Sequence, residues 1–304
     1  MLDILAVNWN VDPVIFSIGI IKIKYYSILF VCGIFPIGYY IVRSMYKKEG
    51  VPLDKLDPLL YAILLGTVVG ARLGHCFFYD PQYYLVHPLE ILETWKGGLA
   101  SHGGAIGVLI AVWWYVHRYG KKYGFDALWI LDRVAIAAAF AGAMIRLGNL
   151  FNSEIYGMAT DLPWGFVFLR NGETIAKHPT QLYESLAYLL IGILLLVLYR
   201  KQLKKIHRGF FIGVFFILVF LARFFIEFVK NPQSNFEVGM SLNMGQILSI
   251  PFIMVGIILL VISFKWTKPA ERTLAVIEPK NKVKNQKVEL THVHSKSNQP
   301  NDYK

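Results

Sequence analysis

The sequence predicts an all-α integral membrane protein of about seven transmembrane helices, with the N-terminus outside and the C-terminus in the cytoplasm. Three observations predict it. Of 304 residues, 55% are hydrophobic and only 17% charged, against about 25% charged in a soluble domain. Apolar runs long enough to cross a bilayer, about 20 residues each, recur along the chain. The cations are gathered into alternate connecting segments.

Seven spans are predicted, near 19–42, 58–79, 98–116, 126–148, 180–199, 209–229 and 244–265. The residues before the first span include Asp3 and Asp12 and no basic run, so no cleavable signal peptide is expected. Span one is followed by Arg43, Lys47, Lys48 and Lys55. Span two is interrupted by Arg72, and its Gly66, Gly70 and Gly74 have the small-residue spacing that lets helices approach closely in lipid. Span three opens at Gly98-Leu99-Ala100-Ser101-His102-Gly103-Gly104 and is followed by Arg118, Lys121 and Lys122. Span four is interrupted by Asp132 and Arg133, read as structural. Span five is followed by Arg200, Lys201, Lys204, Lys205 and Arg208, and span seven by Lys265, Lys268 and Arg272. The intervening segments are poorer in cations: 80–97 has only Lys96, and 230–243 only Lys230. The positive-inside rule gives the orientation from this alternation.

The polytopic domain covers 1–266. Within it, residues 149–179 carry turn signals (Asp161-Leu162-Pro163, Asn171-Gly172) and form a small extracytoplasmic element between spans four and five. Residues 267–304 are polar and basic, and read as a disordered cytoplasmic tail. The net charge of +11 would suggest nucleic acid in a soluble protein; in short loops and a tail it fits a cytoplasmic membrane face, and no nucleic-acid partner is expected. Cys32 and Cys76 both lie in apolar segments, which suggests packing rather than a disulfide framework or a zinc site.

Polar residues gather at the outer ends of the spans: Tyr25 and Tyr26 on span one, Arg72 and His75 on span two, His102 on span three. Arg146 and Asn149 close span four, Asn152, Glu154 and Gly157 follow, His178 and Gln181 open span five, and Arg223 and Glu227 lie in the outer half of span six. Ionisable groups at membrane depth are expensive and mark functional sites by default. Plainer readings exist. Arg223 and Glu227 are spaced i, i+4 and could neutralise each other; His178-Pro179 could simply punctuate a helix start; His102 could be a capping histidine. Several arginines at headgroup depth would hold a phosphate through bidentate charge-assisted bonds, and histidine supplies a base near neutral pH. Neither Gly-x-Ser-x-Gly nor His-Glu-x-x-His occurs, so serine and zinc hydrolase chemistry lose support. The residues alone indicate a membrane enzyme, or alternatively a phospholipid or small-anion transporter, acting on an anionic lipid from its outer face.

Six motifs carry a closer resemblance: Lys24-Tyr25-Tyr26, Gly70-Ala71-Arg72-Leu73-Gly74, the Gly98–Gly104 run, Arg146-Leu147-Gly148-Asn149-Leu150-Phe151-Asn152-Ser153-Glu154-Ile155-Tyr156-Gly157, His178-Pro179-Thr180-Gln181-Leu182-Tyr183-Glu184, and Arg223-Phe224-Phe225-Ile226-Glu227-Phe228. Over about residues 10–266 the chain resembles bacterial phosphatidylglycerol:prolipoprotein diacylglyceryl transferases. It departs from the usual pattern at Ile145, where a glycine commonly precedes the arginine, at Val219, where a tyrosine is common, and at Ser27. The resemblance implies a multi-pass enzyme of the bacterial inner (plasma) membrane. Its partners are phosphatidylglycerol and a preprolipoprotein signal peptide with a lipobox cysteine. Diacylglyceryl moves to that cysteine thiol, a thioether forms and glycerol 1-phosphate is released. No metal or organic cofactor is expected. His102, Arg146 and Arg223 are the candidate catalytic residues, with Tyr26, Arg146, Asn149, Glu154, Gly157 and Glu227 binding substrate. Glu154 and Glu227 are expected to hold the two guanidiniums in place.

Overall fold

The structure is a computed structural model describing residues 6–19, 21–94, 97–202, 207–231 and 240–266; the basic tail expected over 267–304 lies outside the described residues. The chain opens with β1 (Val7–Trp9), β2 (Val14–Ile18) and β3 (Ile21–Lys24). It continues through α1 (Tyr25–Cys32), α2 (Tyr39–Lys48), α3 (Leu56–Phe78), α4 (Pro81–Val86), α5 (Ser101–Tyr115), α6 (Lys121–Tyr123) and α7 (Ala127–Phe151). β4 (Phe166–Phe168) precedes α8 (Thr180–Gln202), α9 (Phe210–Ile226) and α10 (Met244–Trp266). Among the described residues, six helical segments are long and apolar enough to cross a membrane: Tyr25–Lys48, Leu53–Phe78, Ala127–Phe151, Thr180–Lys201, Phe210–Val229 and Met244–Lys265.

The fold is mostly helical, as expected, with short strands added: β1 pairs in parallel with β4, and β2 pairs antiparallel with β3. The start of span one needs correction. Residues expected to begin span one at 19 belong instead to the β2–β3 hairpin, and the helix starts at Tyr25. Ile21-Lys22-Ile23-Lys24 alternates with the period of a strand, and Gly19 takes the positive φ of 58° that its turn needs. The first span is itself broken between α1 and α2, where Phe35 leaves helical geometry ahead of Pro36, as expected of the residue before a proline. The segment expected as span three holds α5, which continues through a π-helical stretch at Val116–Gly120 into α6, and it is not among the six long apolar helices. His102 and three glycines toward one end, with His117 and Arg118 just beyond the other, dilute its apolar content. By contrast α7 runs unbroken through Asp132 and Arg133, and α3 through Arg72.

The chain divides into two units, one of residues 1–45 and 128–267, the other including Tyr46–Ala127. In the second unit α3 packs on α5 through glycines. A Cβ on Gly66 or Gly70 would run into the backbone of Gly107 or Gly103, and one on Gly107 into the Gly66 carbonyl. Only glycine permits this approach, as the small-residue spacing of span two predicts. Gly107→Ala is therefore expected to lower stability by roughly 1–3 kcal/mol through overpacking, measured by thermal unfolding of the purified protein. Arg72, buried at 4% exposure, donates to the carbonyls of Glu90, Ile91 and Gly97 at 2.6, 2.9 and 2.7 Å and lies 5.0 Å from the Tyr84 ring. Its partners are backbone carbonyls rather than a carboxylate, so this arginine ties Glu90, Ile91 and Gly97 to α3.

In the first unit Asp132 accepts the backbone N–H groups of Gly209 and Ile212 at 2.8 and 3.0 Å. A carboxylate from α7 thus caps the N-terminus of α9, satisfying orphan donors and the positive end of its dipole. Arg133 stacks 4.1 Å from the Trp129 ring centroid. The structural reading of this pair holds.

Candidate active site

The N-terminal strands bring aromatic side chains onto the C-terminal end of α7. Trp9 donates from Nε1 to the Leu150 carbonyl at 3.1 Å, and its ring meets Phe151 at 5.6 Å and Phe166 at 5.4 Å. Tyr25 stacks on Phe151 at 4.5 Å. The next residue, Tyr26, lies against Gly148, where an added Cβ would come within 2.9 Å of its ring. Tyr26 is thereby held within electrostatic reach of both Arg146 and Glu154.

Arg146 stands one turn from the end of α7. Its Nε is 2.9 Å from Glu184 Oε2, a close ion pair whose N–H is not aligned for a hydrogen bond, since that oxygen has no hydrogen-bond partner. Its guanidinium reaches Asn149 Oδ1 at 3.4 Å and is hydrogen-bonded with Tyr188. Glu184 and Tyr188 are one turn apart on α8, so a single helix face braces the arginine. The Arg146 side chain keeps 19% exposure while Glu184 has none, which leaves part of the guanidinium accessible.

The other oxygen of Glu184 meets Lys230 Nζ at 3.2 Å, and Lys230 also meets Glu227 Oε2 at 3.3 Å. All three side chains are buried. This changes two expectations. Glu227 does not pair with Arg223 despite the i, i+4 spacing. The α-helix ends at Ile226 and Glu227–Val229 form a 3-10 turn, in which i and i+3 eclipse, so Glu227 meets Lys230. Lys230, a loop cation by sequence, is a buried member of an ion network. Arg223 makes no ion pair among the described residues; its Nε is buried without a hydrogen-bond partner, and its charge is felt at Tyr188.

Glu154 likewise does not hold Arg146. It accepts from Asn149 Nδ2 at 2.7 Å and Asn152 Nδ2 at 3.2 Å. Asn149 thus joins Arg146 to Glu154, accepting from one and donating to the other. Gly157 is buried, its N–H bonded to the His178 carbonyl at 2.8 Å; a Cβ there would run into the Val229 carbonyl, His178 and Thr180. Close packing accounts for this glycine. His178 precedes α8 as a punctuating residue, with Nδ1 3.2 Å from the Tyr183 hydroxyl, and burial lowers its pKa.

The first unit therefore brings together Tyr26, Arg146, Asn149, Glu154, Arg223 and Glu227. His102 belongs to the second unit, exposed in the first turn of α5. Sequence reasoning missed Glu184, Tyr188 and Lys230. The signal for Glu184 was present: a carboxylate inside an apolar span, costly unless paired. Among the described residues no group of three or more His, Cys, Asp or Glu side chains is arranged to hold a metal ion.

Residues 13–262 match the family model described as prolipoprotein diacylglyceryl transferase. The chain is 48% identical over 257 residues to a protein of Tolumonas auensis named phosphatidylglycerol--prolipoprotein diacylglyceryl transferase, covering 84% of this chain and 97% of that one. Proteins of the same name from Porphyromonas gingivalis and Bacteroides fragilis (strain YCH46) are 43% and 42% identical, over 85% and 84% of this chain and 95% and 94% of theirs. With the match running through α1, α7, α8 and α9, which supply the Arg146 cluster, the chain belongs to the prolipoprotein diacylglyceryl transferase family.

Proposed function

We propose that this membrane protein transfers the diacylglyceryl group of phosphatidylglycerol to the thiol of the lipobox cysteine of a preprolipoprotein. The thiolate sulfur attacks the glyceryl carbon, a C–S bond forms, the C–O bond to phosphate breaks, and its electron pair leaves on glycerol 1-phosphate. The observation that carries this reading is a pair of arginines with anion-binding capacity left over: the Arg146 guanidinium stays partly accessible, and Arg223 acts with it on Tyr188. Arg146 and Lys230 share two carboxylates, while Arg223 has no ion-pair partner among the described residues. Such a cluster suits a ligand that arrives as a phosphodiester anion and gains a second negative charge as it departs.

Arg146, braced by Glu184 and Asn149, and Arg223 stabilise that growing charge; fixed donors aimed at charge that develops in the transition state need no reorganisation at the moment of reaction. Asn149, Glu154 and Tyr26 contact headgroup or peptide. The thiol side asks less. With an ordinary pKa of about 8.5, forming the thiolate at pH 7 costs roughly 2 kcal/mol, which His102 supplies by taking or relaying the proton. His102→Gln is accordingly expected to lose about a hundredfold in rate, at the low end of general-base effects, and to recover part of it as pH rises and thiolate forms unaided.

The membrane reading that accompanies this function has seven spans, α5 with its helical continuation being the third, in the bacterial plasma membrane. The N-terminus and residues 149–179 lie outside and the C-terminus lies in the cytoplasm, supported by the alternation of cationic loops. The deciding assay incubates the purified protein with labelled phosphatidylglycerol and a lipobox peptide. A thioether-linked diacylglyceryl peptide is the expected product; lipid uptake into vesicles without that product would replace this reading with transport.

A further inference from the structure

Two residues flanking Glu154 adopt a backbone that L-residues avoid. Ser153 has φ 53° and Ile155 has φ 60°. For β-branched Ile155 the left-handed region is a genuine outlier, and such residues persist only where the surroundings over-determine them. The surroundings here come from the first turn of α8. Gln181 donates from Nε2 to the Glu154 carbonyl at 2.7 Å, and Thr180 donates from Oγ1 to the Ile155 carbonyl at 2.9 Å. Both side chains are fully buried, at 0% exposure. The Glu154 N–H closes back on the Asn149 carbonyl at 3.1 Å, so the turn is pinned on both sides of Glu154.

Gln181 is informative because it is poorly satisfied. Its Oε1 is buried without a hydrogen-bond partner among the described residues. A buried acceptor left unpaired opposes folding, so a residue chosen for stability alone would be apolar here. What its amide does instead is hold one carbonyl of a strained turn. That turn carries the Glu154 carboxylate toward Asn149 and Asn152, and through Asn149 toward Arg146.

We propose that Thr180 and Gln181 are positioning residues: from α8 they clamp the carbonyls of Ile155 and Glu154, and so hold a left-handed turn that aims the Glu154 carboxylate at the asparagine pair beside Arg146. Neither touches substrate; they act through Glu154. The proposal rests on the transferase reading above. It explains why α8 must start at Thr180, and why strain is tolerated at Ser153 and Ile155, on either side of Glu154.

The test uses the full-length protein with phosphatidylglycerol and a lipobox peptide, following thioether product and thermal unfolding together. Gln181→Met keeps the volume and removes both the donor and the unpaired acceptor. The expected result is an unfolding temperature equal to or above wild type with kcat/KM lowered about tenfold to a hundredfold, the population change that release of backbone strain of this kind corresponds to. Adding Ile155→Gly, which takes the left-handed conformation freely, is expected to restore most of the lost rate. Thr180→Val should behave like Gln181→Met and Thr180→Ser like wild type. The proposal is overturned if Gln181→Met turns over at the wild-type rate, if it loses stability or fails to fold, or if Ile155→Gly gives no recovery. Absence of thioether product from the wild-type protein would instead overturn the transferase reading, so the two failures are distinguishable.

Discussion

Arg146→Ala is expected to lower kcat/KM for phosphatidylglycerol by about 10²–10³-fold, the loss of roughly 2.7–4 kcal/mol that removal of one preorganised transition-state donor brings. The expectation rests on how firmly this guanidinium is held. Glu184 lies at 2.9 Å on one side and Asn149 Oδ1 at 3.4 Å on another, with Tyr188 bonded to it from the next turn of α8. A donor fixed in this way is ready before charge develops. Arg146→Lys should recover little, because an ammonium offers neither the planar fork nor simultaneous contact with Glu184, Asn149 and a phosphate. Arg223→Ala should fall in the same range for a different reason. Arg223 makes no ion pair among the described residues, so a lipid phosphate would be its counter-charge, and its loss should appear in KM as well as kcat. Thioether product formed per unit of folded protein is the measurement. Arg146→Ala turning over at the wild-type rate would remove Arg146 from the mechanism.

Glu184→Gln is expected to cost the most stability, about 3–5 kcal/mol, as when one partner of a buried ion pair is removed. Glu184 is fully buried and meets two cations, Arg146 at 2.9 Å and Lys230 at 3.2 Å. Neutralising it leaves Lys230 with Glu227 alone and Arg146 with no carboxylate. Combining Glu184→Gln with Lys230→Met removes one charge of each sign, and should recover part of the lost stability. The two changes therefore should not add, as expected for residues in one network. Thermal unfolding of the four proteins in the cycle measures this coupling; strict additivity would show that the network is not a unit. Activity should stay low in the double variant, because Arg146 still lacks its brace.

Most of the helical frame was legible in the sequence. Spans predicted at 58–79, 126–148, 180–199, 209–229 and 244–265 correspond to α3, α7, α8, α9 with its 3-10 turn, and α10, because a bilayer imposes one length and one composition on every segment that crosses it. The α3–α5 packing was legible for a similar reason: glycines at fixed spacing can be read before their partner is known. The β1–β4 pairing was not, since it joins three residues near the N-terminus to three beyond residue 165, and strands so short carry no period.

The site divides along the same line. Its residue types came from the sequence alone, because arginine, asparagine and carboxylate beside apolar helices are costly unless they have a use. Which charge pairs with which was decided by tertiary structure. Glu227 meets Lys230 rather than Arg223 because the helix tightens at its end. Glu154 meets Asn149 and Asn152 rather than Arg146 because a left-handed turn intervenes. Glu184 becomes the counter-ion of Arg146 because α8 lies alongside α7. Sequence spacing fixes neighbours within one regular helix, and every one of these pairings depends on where a helix stops or on which helix lies beside it.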